Sequence, residues 1–186
     1  MSSYCDVAPG HPLHGPYHDR EYGFPLRSDD ALFERLILEI NQAGLSWLTI
    51  LQKRENFSAA YHNFDVERLA RYGKRDIARL MNDASIIRNR LKIEAAITNA
   101  GIILDLCAEQ GSFSAWLDHH HPMKNDAWVT LFKQTFRFTG GEITKEFLMS
   151  TGYLPGAHQE ICPVYKKIAK QKPAWMLTTK AKGDVR

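Results

Sequence analysis

Apolar residues recur every three or four positions along most of the chain, and this spacing predicts amphipathic helices. No stretch of useful length alternates apolar and polar residues as a half-buried strand would. Residues 6–25 and 153–165 lack the helical pattern and are predicted to be irregular. The predicted helices cover residues 28–43, 47–64, 74–83, 87–110, 112–118, 126–136 and 142–152. The fold class is therefore predicted to be all-α, without an internal repeat.

Capping residues support two of these helix boundaries. Ser28 stands before Asp29 and Asp30, which is a typical N-cap sequence, and Gly44 follows the last periodic residue. Glycine adopts the left-handed conformation that ends many helices. Ser46 is the predicted N-cap of the next helix, so only a short turn is expected between the two.

Glu39 is a carboxylate on an apolar helix face. Leu36 and Ala43 lie three and four residues away from it, and Leu32 lies seven residues away, so the side chain of Glu39 is predicted to point inward. A buried carboxylate must be paired, hydrogen-bonded or neutralised. A buried arginine or a backbone amide as partner would make Glu39 structural, whereas a binding pocket would make it functional. Periodicity leaves both interpretations open.

Length and composition indicate an ordinary globular protein. The chain has 186 residues, 44% of them hydrophobic, which is enough for one hydrophobic core. No apolar run approaches the roughly 20 residues of a membrane span, and the N-terminus lacks the features of a signal peptide. A cytoplasmic location without membrane association is expected. The three cysteines are too few for a disulfide scaffold.

Positive charge is concentrated in two regions. Residues 163–186 contain seven Lys or Arg and one acidic residue, although the whole chain has a net charge of only +3. We expect residues 1–165 to form a single helical domain and residues 166–186 to form a basic, flexible tail. A second excess of basic residues covers 53–92. Basic surfaces suit phosphate groups, although a basic tail is often only a solvated chain end.

A Cys and a His occur at each of the two irregular segments. Cys5 directly precedes the first segment and His18 lies within it, and His158 and Cys162 are in the second. Two thiolates and two imidazoles form a closed tetrahedral ligand set for one structural Zn2+, which would join the two ends of the chain. Chance occurrence is the alternative, and the histidines at 119–121 are competing ligands that we expect to face solvent.

The segment 82–93 resembles a helical hairpin with a tight turn. Its second helix is predicted to begin at the apolar pair Ile86-Ile87, with Arg88, Arg90 and Lys92 around its N-terminus and Ser85 in the turn. In a helix-hairpin-helix element, the turn amides and this N-terminus hold a DNA phosphate. An ordinary hairpin with a charged outer face is the alternative.

Several motifs together resemble the DNA-3-methyladenine glycosylase I family. They are YHDREYG at 17–23, QAGLSWLTILQKRENF at 42–57, Phe-Asp at 64–65, DASIIRNRLKI at 83–93, and the four Cys and His residues. The resemblance extends from Cys5 to Cys162. Val7 and Tyr22 stand where the family usually has tryptophan, and Glu142 and Lys145 replace small or polar residues.

The resemblance implies a helix-hairpin-helix DNA glycosylase fold with a structural zinc ion that joins the N- and C-terminal segments. It also implies that Glu39 and Tyr17 hydrogen-bond an extruded base and that Trp47 stacks on it. Glu39 is then the catalytic residue of the pocket. Leu45, in the turn after the Glu39 helix, is a candidate for filling the vacated base stack, although it could also be an ordinary core leucine.

These residue types suit removal of a cationic base. A base methylated at N3 is positively charged in DNA and leaves as a neutral molecule, so a carboxylate and aromatic faces favour it over normal adenine. We expect a monomeric, monofunctional hydrolase that acts on alkylated double-stranded DNA, releases free 3-methyladenine and serves base excision repair. The alternative is a zinc-stapled homologue that binds DNA or bases without catalysis.

Overall fold

The computed structural model describes residues 3–177, and these residues form helices without any β-strand. Eleven α-helices are present in this part of the chain. They are α1 (Tyr4–Val7), α2 (His14–Arg20), α3 (Asp29–Gln42), α4 (Trp47–Ala60), α5 (Val66–Ala70), α6 (Lys74–Asn82), α7 (Arg90–Gln110), α8 (Phe113–His120), α9 (Asn125–Thr135), α10 (Gly141–Ser150) and α11 (Pro163–Lys170). The predicted all-α fold class is confirmed. None of these helices has the length and apolar character needed to cross a membrane.

Helix α3 lies at the centre of the fold and carries Glu39. It contacts α4, α7, α8 and α10, and its apolar residues from Leu32 to Ile40 are fully buried. Both predicted caps are present: the Ser28 side chain accepts a hydrogen bond from the Ala31 amide, and the Ser46 side chain accepts one from the Thr49 amide at 3.2 Å. Gly44 has a φ of 83°, as a left-handed helix stop requires. These features fix where α3 ends and α4 begins.

The two segments predicted to be irregular contain short helices. Helix α1 ends in the first segment, α2 lies within it, and α11 begins in the second with Pro163 in its first turn. Helices of four to eight residues show too little periodicity to be recognised from sequence and depend on tertiary contacts for stability. Gly23 in the first segment donates its amide to the Ser150 carbonyl at the end of α10 at 2.9 Å, and it also lies against the second segment. A Cβ atom at Gly23 would lie 2.7 Å from Ala157 Cβ, so this crossing requires glycine.

The predicted domain boundary at residues 165 and 166 falls inside α11. Ile168, beyond that boundary, is only 3% exposed. Ala174 is buried against the main core, and the Trp175 amide donates to the Gly152 carbonyl at 3.3 Å. The folded unit therefore extends at least to Leu177 among the described residues. The remainder of the predicted basic tail, 178–186, lies outside them.

Truncation of the chain tests this boundary. A chain ending at Lys170 should melt at a lower temperature, because it loses the burial of Ala174 and the Trp175 hydrogen bond, a cost of about 1–3 kcal/mol. A chain ending at Leu177 keeps these contacts and is the matched control. Equal melting temperatures for the two truncated chains would contradict the prediction.

Candidate pocket and metal centre

One cavity of about 280 Å³ lies where α1, α2, α3, α4 and α10 meet. Its lining combines aromatic rings with two carboxylates, and the residues are Tyr4, Tyr17, Tyr22, Glu39, Gln42, Trp47 and Glu146. The size is near the lower end of ligand pockets, which measure roughly 300–1,000 Å³. A flat molecule the size of a nucleobase suits such a space.

Glu39 is 4% exposed and lines this cavity without a counterion. Arg35, one helical turn earlier, is equally buried but pairs with Glu21 at 3.2 Å and donates to the Tyr17 hydroxyl at 3.0 Å. Within residues 3–177, no group donates a hydrogen bond to the Glu39 carboxylate. Burial raises the pKa of Glu39 to about 8, the positive charge of Arg35 opposes this rise, and the negative charge of Glu146 adds to it. The structure therefore removes the arginine-paired interpretation of Glu39.

Tyr17 and Trp47 form an aromatic wall beside Glu39. Their ring centroids lie 5.1 Å apart, and the Arg35 guanidinium lies 4.9 Å from the centre of the Tyr17 ring. Because Arg35 donates to the Tyr17 oxygen, the Tyr17 hydroxyl proton is free to point toward a ligand. Trp47 is the first residue of α4, so the Ser46 cap positions its ring. Tyr17, Glu39 and Trp47, which the sequence predicted as one site, line the same cavity.

Four further residues line the pocket without having been predicted from the sequence: Tyr4, Tyr22, Gln42 and Glu146. Val7, which stands where the family usually has tryptophan, is 53% exposed and does not line the cavity. The Tyr4 ring does line the cavity and lies 5.4 Å from the ring of Tyr22. The Tyr22 hydroxyl donates to Glu146 Oε2 at 3.0 Å. Glu146 lies three residues before Met149, which belongs to the same buried cluster as Tyr22. The spacing of three residues places Glu146 and Met149 on one face of α10, and this was the available sequence signal.

The four predicted metal ligands come together. One donor atom from each of Cys5, His18, His158 and Cys162 lies within 4.8 Å of the other three, so the cluster could hold a metal ion. The Cys162 sulfur lies 3.6 Å from His158 Nδ1 and 3.7 Å from His18 Nε2. The Cys5 sulfur lies 3.6 Å from His158 Nδ1. Tetrahedral zinc, with bonds of about 2.3 Å to sulfur and 2.0–2.1 Å to nitrogen, places these atoms about 3.6 Å apart.

Hydrogen bonds orient both imidazoles toward the centre of this cluster. His18 Nδ1 bonds to Asp19 Oδ1 at 2.7 Å, and His158 Nε2 bonds to the Tyr22 carbonyl at 2.8 Å. The opposite ring nitrogens therefore face the thiols, as metal-ligating histidines usually do. The competing histidines are placed elsewhere: His119 is exposed, and His120 Nδ1 bonds to the Trp116 carbonyl.

Three of the five predicted DNA-contacting residues are exposed. Leu45 is 40% exposed in the turn between α3 and α4, and Arg88 and Arg90 are exposed at the start of α7. Helix α7 begins at Arg90 with Asn89 as N-cap, three residues later than predicted, because the buried Ile86 anchors a longer connection from α6. These three side chains are accessible to a partner, although Arg90 also pairs with Glu94 at 3.4 Å across one turn of α7.

The structure contradicts the predicted roles of Lys92 and Ser85. Lys92 is 5% exposed, and its ammonium donates to the carbonyls of Asn41 and Ala43 at 2.9 and 2.7 Å, so it supports the end of α3 instead of facing solvent. The Ser85 amide and hydroxyl both donate to Asp83 Oδ1, at 2.9 and 2.6 Å. Neither group is free for a phosphate, which the Asp83 carboxylate would also repel.

The geometry agrees with the comparison to known families. The family model for methyladenine glycosylase matches residues 7–135. The chain belongs to this family. The methyladenine glycosylase family includes the DNA-3-methyladenine glycosylase 1 of Escherichia coli (strain K12), which is 35% identical over 167 residues that cover 80% of this chain and 89% of that protein.

Further relatives cover nearly the same part of the chain. The DNA-3-methyladenine glycosylase of Haemophilus influenzae is 33% identical over 182 residues, covering 88% of this chain and 98% of that protein. A Staphylococcus aureus 3-methyladenine DNA glycosylase I structure, described as the structural basis of 3-methyladenine recognition, has a TM-score of 0.79 at 33% identity. That match covers 87% of this chain and 95% of the neighbour. The methyladenine glycosylase fold is thus present in the described residues.

Proposed function

We propose that this chain is a monofunctional DNA glycosylase that hydrolyses the N-glycosidic bond of 3-methyladenine in alkylated DNA. The observation that carries the proposal is Glu39, a carboxylate buried without a counterion in an aromatic pocket. The names of the relatives at 33–35% identity support the same activity. The products are free 3-methyladenine and an abasic site in double-stranded DNA.

Glu39 recognises the positive charge of the lesion. In the extruded nucleotide, its carboxylate accepts a hydrogen bond from the exocyclic amine, Tyr17 adds a second hydrogen bond, and Trp47 stacks on the ring. Entry of the cation supplies the counterion that the described protein groups do not provide for Glu39. Neutral adenine gains no such charge interaction and pays the full cost of leaving its base pair.

Hydrolysis itself needs little acid catalysis. The electron pair of the glycosidic bond moves to the positively charged base, which leaves neutral, and water adds to the sugar carbon and loses a proton to solvent. The residues that line the described pocket include no lysine or cysteine to form a covalent adduct with the sugar. The pocket therefore suits a hydrolase without a lyase step.

We also propose that Cys5, His18, His158 and Cys162 bind one structural Zn2+. The sulfur-to-nitrogen distances of 3.6–3.7 Å and the orientation of both imidazoles support it. Four protein ligands complete a tetrahedral shell, which is typical of a structural ion. The ion would hold α1 and α2 against the start of α11, and these N-terminal helices carry the pocket residues Tyr4 and Tyr17.

The DNA surface is proposed to combine Leu45 with a helix-hairpin-helix element formed by α6, the connection 83–89 and α7. The N-terminus of α7 attracts a phosphate through its free amides, and Arg88 and Arg90 add charge. Leu45 would fill the gap left by the extruded base. Lys92 stabilises the turn that carries Leu45, because its buried ammonium donates a hydrogen bond to the carbonyl of Ala43, two residues earlier.

Replacement of Arg88 and Arg90 by alanine should weaken duplex binding and reduce its salt dependence. Each lost phosphate contact lowers the slope of log affinity against log salt by about 0.9. Arg71→Ala is the matched control, because Arg71 is an exposed arginine, at 79%, away from the proposed DNA surface. Its ion-pair partner Glu67 lies near Leu104, toward the C-terminal end of α7. Titrations of duplex DNA at several salt concentrations measure the slopes. Unchanged slopes in the double variant would refute the proposed surface.

Base release from alkylated DNA tests the proposed activity. The protein is incubated with duplex DNA treated with a methylating agent, and the released bases are separated by chromatography. We expect 3-methyladenine among the products and alkali-labile abasic sites in the DNA. Binding of the DNA without release of any base would instead favour a non-catalytic homologue.

A further inference from the structure

A second carboxylate, Glu146, lines the same cavity as Glu39. It comes from α10, 107 positions further along the chain, so the two acids meet only in the folded protein. The Tyr22 hydroxyl donates to Glu146 Oε2 at 3.0 Å and holds the side chain at the cavity wall. The neighbouring Glu142 and Lys145 on α10 are exposed. Glu146 is therefore the acidic residue of this helix that faces the pocket.

Two carboxylates in one apolar pocket repel each other unless a cation lies between them. The cavity lining in the described structure contains no basic side chain, and the nearest buried cation, Arg35, is already paired with Glu21. Glu39 independently points to a cationic ligand, because its carboxylate is buried, lines the cavity and has no hydrogen-bond donor among the described residues. Burial also raises the pKa of Glu146, and its charge acts on Glu39.

We propose that Glu146 is a second recognition carboxylate, which makes this pocket select positively charged N-alkylated purines more strongly than Glu39 alone would allow. The inference rests on the proposed glycosylase function and names what the pocket measures, namely the charge of the base. Glu39 accepts hydrogen bonds at the edge of the base, and Glu146, oriented by Tyr22, adds negative charge from the opposite helix. N-alkylated purines that carry the same positive charge are accepted as a class, and neutral purines are rejected.

The position of this charge predicts which kinetic step depends on it. Glu146 attracts the cationic base before cleavage, but the base becomes neutral as the glycosidic bond breaks. An interaction that is stronger with the bound substrate than with the transition state improves binding without accelerating the chemical step. Loss of the Glu146 charge should therefore raise KM for methylated DNA and leave kcat unchanged or higher.

Two small molecules separate charge recognition from shape. Neutral 3-methyladenine is the released base, whereas 3,9-dimethyladeninium carries the permanent positive charge of the base in DNA. The wild-type protein should prefer the cation. Glu146→Gln keeps the size of the side chain and its acceptor for the Tyr22 hydroxyl, so it should weaken binding of the cation on the order of tenfold, as expected for loss of one charge in a partly buried site. Binding of the neutral base should change by less than about twofold.

Glu142→Gln is the matched control, because it removes the same charge one turn earlier on α10 from an exposed position. It should leave the ratio of the two affinities unchanged. Tyr22→Phe is a second variant that keeps the Glu146 charge but removes the hydroxyl that orients it, and it should reduce the preference for the cation in part. A folded Glu146→Gln protein that keeps the wild-type affinity ratio would overturn the proposal, and an unchanged ratio in Tyr22→Phe would do so if Glu146→Gln does not fold.

The same experiments distinguish this inference from the proposed function. If the wild-type protein releases no base from methylated DNA, the proposed function fails, whatever the affinity ratio. If the wild-type protein releases base but Glu146→Gln matches Glu142→Gln in KM and in the affinity ratio, only the role of Glu146 fails.

Discussion

Replacement of Glu39 by glutamine should reduce release of 3-methyladenine by about 100-fold, because one charge-assisted hydrogen bond to the cationic base is lost. The same substitution should raise the melting temperature. Glutamine has nearly the same size and needs no proton, whereas Glu39 is buried without a counterion in the described residues and must take up a proton when the chain folds at neutral pH. Release of a buried charge at a functional site commonly increases stability at the expense of activity.

The stability gain should depend on pH in a defined direction. Glu39 has a pKa of about 8 in the folded protein, compared with an ordinary value of 4.5. Well below pH 4.5, Glu39 is protonated in both the folded and the unfolded state and does not lower the free energy of unfolding. As the pH rises toward 8, the unfolded chain ionises first, so the wild-type protein loses stability while Glu39→Gln does not. The difference in melting temperature should therefore be small near pH 5 and largest near pH 8.

Glu34→Gln is the control for a carboxylate on the same helix that has a counterion. Glu34 accepts a hydrogen bond from Arg54 Nε at 2.8 Å, so its replacement should lower the melting temperature slightly and leave base release unchanged. Thermal melting and base release are measured on the same samples. A Glu39→Gln protein that melts at a lower temperature and still releases base would mean that Glu39 is a structural residue.

The direction of Glu39 could be predicted from sequence, but its lack of a partner could not. Helical periodicity depends on neighbours within seven residues, and it correctly placed Glu39 on the buried face of α3. Arg35 lies four residues earlier, at the spacing where a helical ion pair forms. In the folded protein, Arg35 instead pairs with Glu21, beyond the end of α2. This choice depends on how α2 packs against α3, which local spacing does not encode.

The same limit explains most of the other differences between sequence and structure. Glu146 and Tyr4 reach the pocket from opposite ends of the chain, so no local motif connects them with Glu39. Lys92 belongs to a basic segment, yet tertiary contacts with the end of α3 bury it. Ser85 is a different case, because its polar groups are occupied by Asp83 only two residues away, a local contact that the sequence could have suggested. The Cys/His cluster was easier to predict, because Cys and His are uncommon residue types whose coordination chemistry restricts their partners.

The Cys/His cluster, where we propose one Zn2+, lies next to the pocket. It lies on the same short helices that supply Tyr4 and Tyr17, and the His158 ring bonds to the carbonyl of the pocket residue Tyr22. Helices as short as α1 are not stable alone. The free energy of metal binding, about 10–16 kcal/mol for structural zinc in small peptides, is available to hold such segments in place.

Replacement of Cys162 by serine should therefore remove the metal and disrupt the pocket together. The purified wild-type chain should contain one Zn2+, and the variant should contain little, because serine is a poor zinc ligand. The melting temperature should fall, and base binding should weaken by at least tenfold, since α1 and α2 lose their connection to the start of α11. Helix α3 and the main core should persist, so most of the helical circular dichroism should remain at low temperature.

Cys107→Ser separates loss of the metal from loss of a thiol. Cys107 lies on α7 outside the cluster, and its thiol donates to Asp29 Oδ2 at 3.2 Å, a bond that a serine hydroxyl can also make. This variant should keep its zinc content and its base affinity. Removal of the ion from the wild-type chain by a chelator should reproduce the Cys162→Ser result, and addition of Zn2+ should reverse it. A wild-type chain without zinc, or a Cys162→Ser chain with its full metal content, would show that the four residues pack together without coordinating an ion.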